Sequence, residues 1–302
     1  MKSFLSYFTA YIKSLNKWTL LLTSIWVALF VVCNFTIGIE SRIKSLPLFY
    51  ERFAGFFLLY TLLFGMPYWL NYSFNKNYIP YGKSFYWLFL SGPILFALKM
   101  SHRNFAGIFY PDKTYPWYDY AKQVLNWPIN ALLLLIVVFI IWKIASLPSP
   151  VAGLSMKRFS VKPYLILLAC MIPLIAFAGT QSDFLHTYPK VKNISFISSY
   201  VSNLWPYQLI YELSYGSDFF SIEFFFRGFL VLGFIRYAGK DAILPMAAFY
   251  CSIHFGKPLL ECITSYFGGI ILGVIVYRTK SIWGGLLMHL GIAWMMEVAA
   301  AT

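Results

Sequence analysis

The chain has 302 residues, of which 60% are hydrophobic and only 12% are charged. Soluble domains average about 25% charged residues, so the composition excludes an ordinary soluble enzyme and indicates a polytopic membrane protein. The formal net charge of +13 lies mostly in short loops between apolar runs. That placement is typical of membrane topology and of contact with anionic lipid, and it does not indicate a nucleic-acid partner.

The amino-terminal part of the chain contains membrane segments without a recognisable catalytic or binding motif. Residues 1–17 predict a short helix lying in the membrane interface. The apolar runs that follow predict spans at 18–39, 49–70, 84–98, 128–144 and 163–179. The stretch between 144 and 163 is rich in Pro and basic residues and predicts a linker. We therefore expect amino-terminal transmembrane helices at 1–160 and a functional membrane domain at 161–302.

The carboxy-terminal part predicts four more spans, at 219–235, 242–255, 260–277 and 282–299. Gly216 predicts a break or a kink in the helix before the first of these. The expected fold is an all-α, polytopic transmembrane bundle of about eight to nine spans. Ionisable residues occur at depth only in the last helices, so we expect a polar cavity there.

Glu223 and Arg227 lie four residues apart inside the first of these four runs. An ionised side chain at membrane depth costs about 3 kcal/mol on insertion scales. Positions i and i+4 share one face of a helix, so the two charges can neutralise each other. One interpretation is an ion pair that only holds helices together, and the other is one wall of an active site.

Two further spans add histidine at depth. His254 ends its span, and Glu261 follows it by seven residues after a Gly-Lys-Pro break; His289 and Glu297 lie eight residues apart on the last span and share one helix face. A carboxylate and two imidazoles can activate water and stabilise an oxyanion. Glu223, His254 and His289 could equally coordinate zinc, which leaves the metal and the cofactor open.

Three motifs in this order resemble the signatures of a known family. Glu223-Phe-Phe-Phe-Arg227-Gly228, Tyr250-xxx-His254 and His289-xxx-Ala293 resemble the EExxxR, FxxxH and HxxxN motifs of the CAAX-protease and bacteriocin-processing (CPBP, or Abi) family of intramembrane proteases. Residues 278–289 also resemble the lead-in to the family's last motif. The resemblance covers about residues 205–299.

The resemblance implies an endopeptidase, a hydrolase in a multi-pass protein of the cell membrane. It would cut a peptide bond in a membrane-associated protein or peptide, with membrane lipid as its surroundings. Eukaryotic relatives cut prenylated CAAX tails, and bacterial relatives are linked to bacteriocin maturation or self-immunity. Family members have been described both as metalloproteases and as glutamate-dependent proteases, so the resemblance leaves zinc open.

Two motif positions depart from the family pattern. Ile222 stands in place of the first Glu, a leading candidate for water activation in the family, and Ala293 stands in place of the Asn. We expect Glu223 with His254 to activate water, His289 to assist and Arg227 to orient Glu223. Glu297 and Glu261 are the candidate compensating acids.

Two other functions are consistent with the same residues. A catalytically inactive family member could keep the polar core and act as a membrane binding or immunity protein, and the replacements Ile222 and Ala293 favour it. A small transporter could use buried Glu, His and Arg as a proton relay, although the polar groups cluster late and no internal repeat is visible. Catalysis requires Glu223, His254 and His289 to converge on one site, whereas a relay requires a chain across the bilayer.

Overall fold

The structure is a computed structural model that describes residues 2–74, 82–102, 104–110, 113–157 and 159–301. These residues form helices and connecting loops with no β-strand, which confirms the predicted all-α class. The α-helices are α1 (Lys2–Ser14), α2 (Lys17–Ile37), α3 (Ile39–Ser45), α4 (Phe49–Phe74), α5 (Lys83–Ser101), α6 (Ala106–Phe109), α7 (Trp117–Ile144), α8 (Val161–Ala178), α9 (Ser182–Thr187), α10 (Trp205–Ile222), α11 (Ile235–Ala238), α12 (Ile243–Ser252), α13 (Leu259–Thr279) and α14 (Trp283–Ala301).

Each of the nine predicted spans corresponds to a helix. Within the described ranges, six helices are long and apolar enough to cross a bilayer: α2, α4, α7, α8, α13 and α14. The other predicted spans correspond to α5, to α10 with its continuation, and to α12, which are shorter or less apolar. A multi-pass helical bundle is confirmed, whereas the number of eight to nine spans stays a prediction.

The short helix α12 lies at the centre of the bundle. All ten of its residues are buried, and it packs against α4 on one side and α13 on the other. A helix that is hydrophobic on all faces is either buried in a protein core or faces lipid, and α12 is enclosed by other helices. The outer helices show the opposite pattern, since α7 and α8 expose large apolar side chains such as Ile144 and Leu174. In water such surfaces would be a liability, but in a bilayer they face lipid.

The motif helix is longer and wider than the sequence predicted. Helix α10 runs through Gly216 without a break and continues as a π-helix over Glu223–Leu232. Every residue of this π-helix is buried. π-Helical segments are rare and are found frequently at functional sites.

A short part of the segment predicted as a linker, around Ala152, packs into the core. Residues Val151–Gly153 form a 3₁₀ turn in which Ala152 is fully buried and has a left-handed φ of 47°. The backbone N–H of Ile282 donates to the Gly153 carbonyl at 3.2 Å. This turn therefore joins the start of α14 to the π-helix, which it contacts at Gly228. The division into domains at 1–160 and 161–302 stays a prediction.

Gly228 and Gly268 make a matched test of this packing. A Cβ at Gly228 would lie 2.7 Å from the Ala152 carbonyl oxygen and 3.2 Å from its Cα, whereas a Cβ at Gly268 would meet nothing within 4 Å. Backbone cannot move as a side-chain tip can, so Gly228→Ala should destabilise the protein by about 1–3 kcal/mol. Gly268→Ala should leave stability unchanged or raise it. The measurement is the apparent Tm of purified protein in detergent. Equal Tm values for the two variants would show that the turn does not press on the π-helix.

Candidate active site

Glu223 and Arg227 form a fully buried ion pair in the first turn of the π-helix. Arg227 Nη1 lies 3.0 Å from Glu223 Oε1, and neither side chain is exposed to solvent. The predicted i, i+4 pairing is therefore present. An unpaired charge at this depth would cost several kcal/mol, so the pair explains how both ionised side chains can be buried.

His289 on α14 approaches the same carboxylate oxygen as Arg227 does. Its Nδ1 lies 2.8 Å from Glu223 Oε1. One turn earlier on α14, Gly285 packs directly on the carboxylate, since a Cβ there would overlap Glu223 Oε2. Glycine at position 285 is thus required for α14 to come this close to the π-helix.

Tyr250 on α12 contacts both His289 and Arg227. Its hydroxyl is hydrogen-bonded to His289 Nε2, and the Arg227 guanidinium carbon lies 3.9 Å from the centre of its ring. The side chain is 3% exposed. Both nitrogens of His289 are therefore engaged, one by Glu223 and the other by Tyr250. The sequence offered one signal for this residue, the tyrosine in place of phenylalanine in the second motif.

His254 lies next to this cluster, in the turn after α12. Its Nδ1 is 3.0 Å from the Tyr250 carbonyl oxygen, and its ring centre is 4.6 Å from that of Tyr250 in an edge-to-face arrangement. A backbone carbonyl accepts a hydrogen bond, so Nδ1 carries the proton and Nε2 keeps its lone pair. Tyr250 therefore contacts Arg227, His254 and His289, and Glu223 joins the cluster through Arg227 and His289. Catalysis by these residues stays a prediction.

Helix α2, which is distant in sequence, is hydrogen-bonded to the turn that carries His254. The buried Asn34 side chain on α2 donates to the Phe255 carbonyl at 2.9 Å and accepts from the Glu40 backbone N–H at 3.0 Å. This amide bridges two backbone segments next to His254. Sequence reasoning missed Asn34, because a single amide in an apolar run has no pattern that names its partner.

The polar atoms at the centre are close to charges but poorly aligned for hydrogen bonds. Among the described residues, both oxygens of Glu223, the three guanidinium nitrogens of Arg227 and Nδ1 of His289 have no aligned hydrogen-bond partner. Buried polar atoms of this kind are uncommon in folded proteins. Glu223 Oε2 is also free of the two short charge contacts, both of which are made by Oε1. This oxygen is covered by the backbone of Gly285.

Glu223, His254 and His289, for which the sequence left zinc open, do not have the arrangement of a metal site. Within the residues that the structure describes, no three His, Cys, Asp or Glu side chains have the arrangement of a metal centre. The reason is local: His289 uses its nitrogens on Glu223 and Tyr250, and His254 turns Nδ1 towards a backbone carbonyl. The residues present do not fit zinc in this conformation, and we derive no chemical step through a metal.

The two candidate compensating acids have other partners. Glu297 accepts hydrogen bonds from the backbone N–H groups of Lys190 at 2.7 Å and Val191 at 3.2 Å. Glu261 accepts from the Tyr188 hydroxyl at 3.2 Å and 3.0 Å, one bond to each oxygen. These contacts fasten the start of the 3₁₀ helix Lys190–Ser199 onto α13 and α14. A role for either acid in catalysis stays a prediction.

The two replaced motif positions contribute no polar atom. Ile222 and Ala293 are both buried, and Ile222 belongs to the main apolar core. A different carboxylate lies one turn before Glu223: the Asp218 side chain accepts from Lys99 Nζ of α5 at 2.5 Å and from the Ser221 hydroxyl at 3.0 Å. Asp218 is thus already paired with a lysine and positions the entry to the π-helix.

The comparison with known proteins agrees with the position of this cluster. Residues 218–295 match the family model Rce1-like, described as type II CAAX prenyl endopeptidase Rce1-like. No curated protein and no solved structure matches the chain. The match begins at Asp218 and ends six residues after His289, so it contains Glu223, Arg227, Tyr250 and His254. The resemblance to the CPBP proteases is therefore confirmed for residues 218–295, which are similar to the Rce1-like family.

Proposed function

We propose that this protein is an intramembrane endopeptidase of the CAAX-protease type that hydrolyses a peptide bond in a membrane-associated protein or peptide. The observation that carries the proposal is the fully buried Glu223, held through one oxygen by Arg227 and His289. A carboxylate with one oxygen fixed and the other without a charge contact has the arrangement of an oriented general base. The cell membrane is the proposed location, and membrane lipid and the substrate are the proposed partners.

The proposed reaction begins with a water molecule bound next to Glu223 and His254. Oε2 takes a proton from the water while His254 Nε2 accepts a hydrogen bond from its second proton. The resulting hydroxide attacks the carbonyl carbon of the substrate and forms a tetrahedral oxyanion. Arg227 keeps Glu223 ionised and oriented beforehand, because the guanidinium stabilises the charged carboxylate.

Tyr250 is the proposed donor to that oxyanion. When His289 carries protons on both nitrogens, Nε2 donates to the Tyr250 oxygen and leaves the hydroxyl proton free to face the substrate. This places a hydroxyl donor in the site of a chain that has Ala293 where the family motif has Asn. The protonated Glu223 then passes its proton to the nitrogen of the leaving group, and the C–N bond breaks. The net reaction consumes one water and returns every residue to its starting state.

The first test removes the base and the imidazoles one at a time. Glu223→Gln, His254→Ala and His289→Ala should each lower kcat/KM by about 100-fold or more, since a general acid or base contributes that much. The readout is cleavage of prenylated CAAX peptides and of candidate membrane peptides by the full chain in liposomes, followed by mass spectrometry. Asp119→Asn is the control, because Asp119 is a partly exposed carboxylate paired with Lys122 outside the site.

Two results would count against the proposal. Cleavage by all three variants at the wild-type rate would remove these residues from the chemistry. Absence of cleavage by the wild-type chain across the peptide panel, with tight binding of the same peptides, would favour the inactive family member.

The second test isolates the Tyr250 hydroxyl. Tyr250→Phe keeps the ring over Arg227 and removes only the donor, so kcat should fall by about 100-fold with KM nearly unchanged, as for loss of one oxyanion donor. Tyr266→Phe is the matched control, since it removes a buried hydroxyl that contacts Ser24. If Tyr250→Phe instead raised KM and left kcat intact, the hydroxyl would contribute to substrate binding and not to the transition state.

A further inference from the structure

A cavity of about 190 Å³ lies away from the candidate active site, where α1 meets the end of α13. The turn Gly239–Ala242, which precedes α12, also lines the cavity through Lys240. Its lining residues are Ala10, Tyr11, Ser14, Lys240, Val274, Tyr277 and Arg278. Two cations thus share one small cavity with a hydroxyl and two phenol rings.

The cations of this cavity are poorly neutralised by the protein. Lys240 donates to the Ser14 carbonyl oxygen, and the Arg278 guanidinium lies 5.8 Å from the Tyr7 ring centre and 5.9 Å from that of Tyr277. Among the described residues, no carboxylate forms an ion pair with Arg278 or Lys240. The neighbouring acid is Asp241, and burial raises the pKa of its carboxyl group while the charge of Lys240 lowers it. Two cations thus face this single carboxylate. The cavity is therefore electropositive and selects an anion.

The position of the cavity relative to the helices indicates the source of that anion. Ser14 ends α1, Arg278 is the last residue but one of α13, and Lys240 precedes α12, so the cations lie at one end of the bundle, where a bilayer has its headgroups. Below Arg278, residues 274, 271 and 267 follow at intervals of four, three and four along the same face of α13. On this face Ile271 is 40% and Phe267 is 57% exposed.

We propose that this cavity binds the headgroup phosphate of an anionic phospholipid, with one acyl chain lying along Ile271 and Phe267 of α13. A free phosphate would pair only with the cations. A phospholipid would also cover the exposed apolar side chains of Ile271 and Phe267 on the same face of α13. The site is separate from the Glu223 cluster, so the proposal does not depend on peptidase activity.

The test uses the full chain, purified in a neutral detergent. Native mass spectrometry measures retained lipid, and thermal shift measures stabilisation, during titration with phosphatidylglycerol, phosphatidylcholine or inorganic phosphate. We expect phosphatidylglycerol to bind and to raise Tm at concentrations where the other two do not. Arg278→Gln and Lys240→Gln should each weaken its apparent Kd by about fivefold, the effect of one basic residue near an anionic surface. Lys162→Gln is the matched control, an exposed cation at the start of α8 outside the cavity.

An additional variant tests the acyl-chain contact independently of the headgroup contact. It changes a side chain on the surface of α13, so it should not disturb folding. Ile271→Gln changes a partly exposed side chain and should weaken phosphatidylglycerol binding without lowering the Tm of the lipid-free protein. Equal binding of inorganic phosphate would assign the cavity to a soluble anion and overturn the proposal. Equal affinities for phosphatidylcholine and phosphatidylglycerol, or unchanged binding in Arg278→Gln and Ile271→Gln, would overturn it as well.

Discussion

The buried carboxylate of Glu223 is the constraint on which the rest of the structure depends. A lone charge at this depth is costly, and removal of one partner from a buried pair costs about 3–5 kcal/mol. Arg227 comes from the same helix, but His289 has to come from α14, which can approach only because Gly285 has no side chain. The need to compensate one charge therefore determines how closely the π-helix and α14 pack.

The amino-terminal helices are part of the same arrangement, although the family match begins only at residue 218. Lys99 on α5 neutralises Asp218 one turn before Glu223, and Asn34 on α2 holds the turn that carries His254. The buried turn at Ala152 presses on Gly228. Each of these contacts reaches the candidate site from outside the matched segment, so α2, α5 and the turn at Ala152 help to support it. Catalytic groups need such support to keep their orientation.

Much of the fold could be predicted from the sequence for a physical reason. A chain inside lipid has to satisfy its backbone hydrogen bonds within each segment, so every long apolar run becomes a helix. All nine predicted spans therefore correspond to helices, and the i, i+4 spacing correctly predicted contact between Glu223 and Arg227. Gly216 did not break its helix, because a glycine inside a helix lowers stability without preventing packing.

The sequence by itself determined the helices, their order and the residue types that a polar site would use. The tertiary structure decided which of them meet: His289 contacts Glu223 and Tyr250, while Glu297 and Glu261 face the segment from Tyr188 to Val191. It also decided that Glu223 begins a π-helix and that Ala152, within the predicted linker before α8, is buried in the core. Periodicity describes the face of one helix, whereas these contacts join residues up to 221 positions apart, as Asn34 and Phe255 do. Only the packing of whole helices against each other selects such pairs.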